Sequence, residues 1–150
     1  MEPSPVPPRR PQSSRLPTGL PGIKTVVPLL LLLILPSLAL YRLSEGVDWR
    51  FLAGGVTLVS LSTWFLYRGD KRKAQAGAWR TPESTLHLAG LFGGWAAAFL
   101  AQRRFRHKIA KRRFQIFYWA IVFLHQFAAL DYLRGWQLSL GVWRLIRQFD

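Results

Sequence analysis

The chain has 150 residues, enough for one small domain, and half of them are hydrophobic, yet it carries a formal net charge of +14. A soluble nucleic-acid binder can be as basic, but it would not also contain apolar runs of about 15–20 residues; such runs separated by basic connections indicate an integral membrane protein. The absence of cysteine excludes disulfides, thiolate metal sites and cysteine nucleophiles.

Residues 1–22 hold most of the prolines, and such a segment reads as a disordered tail. Arg9, Arg10, Arg15 and Lys24 precede the first apolar run, about Thr25 to Tyr41, in which eleven residues between Val26 and Leu40 are Leu, Ile or Val. A membrane span is the expectation. A signal peptide cleaved after Ser37-Leu38-Ala39 is the competing reading, weakened by a long basic leader and by a second apolar span that follows at once. That second span is Trp49 to Tyr67, with Trp49 and Trp64 to Tyr67 placed as an aromatic belt and Gly54-Gly55 as a thin face.

A basic loop is expected from Arg68 to Ser84. Thr81-Pro82-Glu83 then reads as a helix start, with a capping Thr, a Pro at the first helical position and an acid in the first turn. The helix begun near Pro82 carries the third apolar segment, Leu86 to Ala101, with Gly90, Gly93 and Gly94. Alone this segment spans only about 24 Å; counted from Pro82 to Gln102 it reaches about 31 Å and just crosses. Arg103 to Arg113 has seven Lys or Arg in eleven residues, and Phe105 and Ile109 would form a small apolar anchor if the run is helical. A fourth span, Phe114 to Leu133, places His125 and Gln126 near its middle. In the stretch Gly135 to Phe149, the residues Gln137, Gly141, Arg144 and Gln148 fall on one polar face, which predicts an amphipathic interfacial helix.

Hydropathy and charge disagree about the third segment. If it crosses, Lys and Arg divide 12 against 9 between the two sides; if it dips in and returns, they divide 16 against 5, which obeys the positive-inside rule far better. Re-entry requires irregular backbone inside the membrane, and the well-formed helix start argues for a crossing. The expected fold is therefore an all-α integral membrane bundle of about four hydrophobic helices. The third is short, with re-entry left open, and a C-terminal amphipathic helix follows. The domains would be a tail over 1–22, a membrane domain over 23–134 and the final helix over 135–150, with the amino terminus cytoplasmic.

Asp70-Lys71, Ala74, Trp79-Arg80-x-Pro82-Glu83, Leu86-His87, Gly93-Gly94-Trp95, Gln102, Arg106-His107-Lys108, Lys111 and Phe114 together resemble the domain-of-unknown-function 1294 family of small bacterial membrane proteins, over roughly residues 60–130. The chain departs at Ala96, where many members have Pro, which weakens any kink inferred there. The resemblance implies a bacterial inner-membrane location and a helical architecture, not an activity. Some relatives carry a cold-shock, nucleic-acid-binding domain where this chain has its Pro-rich tail.

The motif's polar residues, Asp70, Lys71, Arg80, Glu83, His87, Arg106, His107, Lys108 and Lys111, form the candidate anion-binding set, with Gly93, Gly94 and Trp95 as the packing set. Glu83, His87 and His107 would meet as metal ligands only if the third segment re-enters, and their spacing matches no zinc signature; no cofactor or metal is assigned. Asp70 and Glu83 sit among cations, which lower carboxyl pKa values and so oppose general acid catalysis. No catalytic residue is assigned. His125, an ionisable residue at mid-span, is a functional candidate by position.

The expectation is a small integral membrane protein with a cationic cytoplasmic face, structural or binding anionic lipid, with membrane lipids as partners and a homo-oligomer through the glycine faces left open. One alternative is a membrane-tethered accessory protein that binds nucleic acid or a stress-response partner. Another is an enzyme or transporter for an anionic lipid-like substrate, with Arg80, Glu83, His87, Arg106, His107 and Lys108 as its site.

Overall fold

The computed structural model describes residues 22–79 and 81–147; the Pro-rich tail, Arg80 and Gln148 lie outside the described residues. Within them the chain is helical without strands: α1 (Ile23–Leu43), α2 (Trp49–Gln75), α3 (Glu83–Ala89), α4 (Trp95–Phe105), α5 (Arg112–Leu133) and α6 (Gln137–Ile146). Three apolar helical stretches are long enough to cross a membrane: Ile23–Leu43, Glu83–Phe105 and Arg112–Leu133.

The middle stretch is not a straight rod. A straight helix over its 23 residues would be about 34 Å long. Instead α3 and α4 are joined by a wide π-type turn, Gly90–Gly94, in which Gly93 has φ +102°. Glu83, at the start of α3, pairs with Lys108 at 3.3 Å and Lys111 at 2.8 Å, just beyond the end of α4. Both ends of the stretch therefore lie at the same end of the bundle. At the apex, Gly94 packs against Thr63, seven residues before Asp70 on α2. The hairpin thus enters only about 10 Å below Asp70, against roughly 30 Å for a crossing. The third segment folds back on itself as a hairpin, which differs from the continuous helix favoured by its helix-start signature.

The three long helices surround this hairpin. α1 and α5 run parallel, joined at mid-depth by Gln126 Nε2 donating to the Leu32 carbonyl at 2.8 Å and at their carboxyl ends by Arg42 Nη1 donating to Leu133 O at 2.7 Å. The hairpin fills the bundle on the side of the α2 and α4 carboxyl ends, where Leu86, Phe99, Phe114, Tyr67 and Val122 form the core. On the other side of the apex the same helices enclose an apolar cavity of about 510 Å³, lined in part by Leu33, Leu40, Val56, Gly93, Trp95, His125, Tyr132 and Trp136.

Several local expectations change. α2 continues to Gln75 rather than giving way to a loop at Arg68: it carries Gly69 within the helix and ends just before Gly77. There the φ of +66° lets Ala78 N–H close on Lys73 O at 3.0 Å. Trp64 and Tyr67 pack inward rather than forming a belt: Tyr67 is buried, and Trp64 lies 5.0 Å from the Phe105 ring. The Phe105–Ile109 anchor does not form, since α4 ends at Phe105 and Ile109 is exposed. Thr81 makes no side-chain cap; its amide donates to Asp70 instead. α6 is exposed along its length and is capped from outside, its Leu138 and Ser139 amides donating to the buried Asp131 at 2.9 and 3.3 Å.

The re-entrant hairpin gathers charge. Of the seventeen Lys and Arg among the described residues, twelve lie at the end that carries the α2–α3 and α4–α5 connections, and five (Arg42, Arg50, Arg134, Arg144, Arg147) lie at the other.

Candidate functional site

The mouth of the hairpin is built on Asp70, in the last turns of α2 and fully buried. Its Oδ1 accepts from the Thr81 amide at 3.0 Å, and its Oδ2 lies 2.6 Å from His107 Nε2 and 3.2 Å from Lys108 Nζ. One carboxylate therefore ties together the end of α2, the start of α3 and the turn after α4. His107 is aimed at it by the way α4 ends. Arg106 takes the left-handed conformation, φ 45°, and the His107 amide closes on Gln102 O at 3.0 Å. This is a Schellman closure with Arg where Gly is usual. Lys108 also has positive φ, 60°, so this turn holds two strained non-glycine residues.

Burial pushes the Asp70 carboxyl pKa up, but the His107 hydrogen bond, the Lys108 charge and the Thr81 amide outweigh it, and the net shift is down. An ionised carboxylate only accepts, so His107 Nε2 donates. Next to it, the hydrogen bond from Lys111, with Lys108 beside it, holds Glu83 below the ordinary glutamate value despite partial burial. The arrangement is a cross-linked ion-pair chain, Asp70–Lys108–Glu83–Lys111. It can hold a hairpin shut, and it lacks the raised carboxyl that proton transfer at neutral pH requires.

Of the candidate set, the structure brings together Asp70, Glu83, His107, Lys108 and Lys111. His87 stands beside them but stacks on Phe114, ring centroids 4.3 Å apart. Glu83, His87 and His107 do not converge on one point, and among the described residues no group of three His or acidic side chains is placed to hold a metal ion. Arg106 is exposed, its backbone rather than its charge shaping the turn. Arg80 lies outside the described residues. Below the mouth, the buried Gln102 accepts from Gln115 Nε2 at 2.6 Å and donates to Tyr67 OH at 3.4 Å, linking α2, α4 and α5. At the apex, a Cβ on Gly94 would stand 2.0 Å from Thr63 Oγ1, and the buried Trp95 accepts from Tyr118 OH at 3.1 Å. His125 lies 2.8 Å from Ile121 O through Nδ1, a bond within its own helix that satisfies one ring nitrogen without a functional partner.

Lys71 belongs elsewhere. With Trp64, Arg68, Arg72 and Gln75 of α2 and Arg104 and Phe105 of α4 it lines a cleft of about 330 Å³ on the outer side of the hairpin. Reading Arg68 onward as a loop hides this group. With α2 extended to Gln75, the α2 members fall at spacings of four, seven, eight and eleven from Trp64, one helix face. A second groove of about 410 Å³ lies between α3 and α5, with Glu83, Ser84, His87 and Arg113 among its lining and Leu88, Leu91, Phe114, Phe117 and Ile121 completing it.

Comparison with known proteins bears on the hairpin. No curated protein and no solved structure matches the chain. One family model, described as protein of unknown function (DUF1294), matches residues 60–114, from the middle of α2 to the first turn of α5. Gln126, His125 and Asp131 lie outside that match. The chain is similar to that family over residues 60–114, and the matched segment is the hairpin together with the helix ends that clasp it.

Proposed function

We propose that this chain is a structural module of the bacterial inner membrane whose basic face lies in the cytoplasm and engages anionic lipid. The observation that carries the reading is the concentration of cations produced by re-entry: twelve of seventeen at one end of the bundle. Under the positive-inside rule that end faces the cytoplasm. Each Lys or Arg near an anionic surface contributes roughly 1 kcal/mol of attraction. The apolar surface of α1 and α5, with Leu30, Leu31, Ile34, Phe117 and Phe123 exposed, is suited to lipid tails. Gly54 and Gly55 on α2 meet nothing within 4 Å and leave a thin face on which a second copy would pack closely.

The nucleic-acid reading loses its stacking residue, because Phe105, the aromatic inside the basic run, is packed on Trp64. The enzymatic reading loses its acid, because both carboxyls at the mouth are held ionised.

Two measurements test the proposal. Single cysteines at Gln75, Ile109 and Gly46 are labelled in intact cells with a membrane-impermeant maleimide. Gln75 and Ile109 are expected to stay protected until the inner membrane is permeabilised, while Gly46 labels from outside. Purified protein is then expected to retain anionic lipid preferentially over zwitterionic lipid. Labelling of Ile109 from outside, or equal retention of both lipids, would overturn the reading.

A further inference from the structure

The ion-pair chain at the mouth neutralises itself, but the cleft between α2 and α4 does not. Arg68, Lys71, Arg72 and Arg104 converge there, and none has an acidic partner within 4.0 Å among the described residues. Arg68 lies four residues from Arg72 and three from Lys71, spacings at which like charges on a helix destabilise each other. Helix dipoles account for part of the set, since Arg72 and Arg104 occupy the last turns of α2 and α4. They do not account for Arg68, two turns from the end of its helix. An anion shared by all four removes the repulsion.

From this geometry we infer that the cleft is a binding site for a phosphoryl group, specifically a phosphomonoester dianion. The inference rests on the lipid reading above and deepens it by naming the headgroup chemistry. Three of the four cations are Arg, whose planar fork pairs two oxygens at once, and a dianion satisfies more of them than a diester can. The tilted pair Trp64 and Phe105, 5.0 Å apart, supplies an apolar wall, so a group carrying a glycerol or acyl extension fits better than a bare ion. A lipid headgroup and a soluble phosphate share this chemistry.

The test uses the full chain in nanodiscs, containing either phosphatidic acid or phosphatidylglycerol at matched surface charge, and in detergent with glycerol 3-phosphate or inorganic phosphate. The expected result is about a tenfold preference for phosphatidic acid. The double variant Arg68→Gln/Arg104→Gln is expected to abolish that preference, to lower phosphatidylglycerol retention no more than the control pair below does, and to leave the thermal midpoint near the parent value. The control pair Lys73→Gln/Arg112→Gln, which removes the same charge outside the cleft, should lower retention of both lipids alike and leave the preference. Phosphate or glycerol 3-phosphate binding with the same dependence on Arg68 and Arg104 identifies a soluble source for the same site. Equal retention of the two lipids without soluble phosphate binding, or equal effects of the two double variants, overturns the site and leaves the lipid reading standing. Failure to retain any anionic lipid overturns the lipid reading itself.

Discussion

Gln126 Nε2 donates to the carbonyl oxygen of Leu32 at 2.8 Å, and Leu32 is the residue four before Pro36. Proline has no amide to offer that carbonyl, so α1 carries a bare acceptor at mid-bundle, and α5 satisfies it from across the interface. Replacing Gln126 with Leu is expected to destabilise the protein by about 0.6–2 kcal/mol, seen as a lower thermal midpoint in detergent. With Pro36→Ala in place the helix closes its own bond, and the cost of losing Gln126 should shrink. Equal costs in the two backgrounds would show that the contact is not a response to proline.

Asp70 makes the second set of connections that cross the fold. Asp70→Ala removes the acceptor for Thr81 and His107 and leaves Lys108 with Glu83 alone, in a setting where His107 and Lys108 each have only 11% of the side chain exposed. Breaking such a pair from one side costs on the order of 3 kcal/mol. Asp70→Asn keeps an oxygen for Thr81 and should cost less. Beyond the midpoint shift, a cysteine at Ile109 should become more reactive and the 103–111 segment more sensitive to protease, because the turn after α4 loses its anchor.

The pH dependence follows from the same carboxyls. Asp70 and Glu83 both have pKa values below those of the unfolded chain, where carboxyls titrate at about 3.9 and 4.3. The stability they supply is fully present above those unfolded values and is lost as pH falls through the lower folded ones. Their contribution to the thermal midpoint is therefore expected to be flat from neutrality down to about pH 5 and to fall below about pH 4. Glu83 is about one-third exposed and contributes less than Asp70. In Asp70→Asn/Glu83→Gln the fall should be reduced; an unchanged acid profile would place its origin elsewhere.

The apolar helices and the basic face were legible in the sequence, because both depend on composition over many residues. The path of the third segment was legible in the charge asymmetry and obscured by the helix start at Thr81-Pro82-Glu83. A helix-start signature marks where a helix begins and carries nothing about where it turns, whereas Lys and Arg on two loops report which ends share a side. Gly93-Gly94 marked a close approach without specifying a reversal. The Asp70–His107 contact joins residues 37 apart and exists only once that reversal is made. The cationic cleft was hidden for a simpler reason: Gly69 and the charged residues after Tyr67 suggested a loop, while the Arg, Lys, Ala and Gln that follow are good helix formers and carry α2 past Gly69 to Gln75.

The two apex glycines should fail for different reasons. Gly93 sits at φ +102° with open space around its Cβ position, so Gly93→Ala is opposed by backbone conformation alone, at about 1–2 kcal/mol. Gly94 has an ordinary backbone, but a methyl group there would stand 2.0 Å from Thr63 Oγ1 and 2.7 Å from the Ala89 carbonyl oxygen. Gly94→Ala is expected to cost about 1–3 kcal/mol through overpacking. Adding Thr63→Ala removes the first clash and not the second, so rescue of Gly94→Ala should be partial, and Thr63→Ala should give Gly93→Ala no rescue at all. Thr63 itself offers a control: its hydroxyl is buried without a hydrogen-bond partner, so Thr63→Val should be neutral or stabilising by up to about 1 kcal/mol. Thermal midpoints of these variants in one detergent decide the matter. Rescue of both glycine variants by Thr63→Ala would mean that the hairpin turns at Gly94 by contact alone and that the positive φ of Gly93 is incidental.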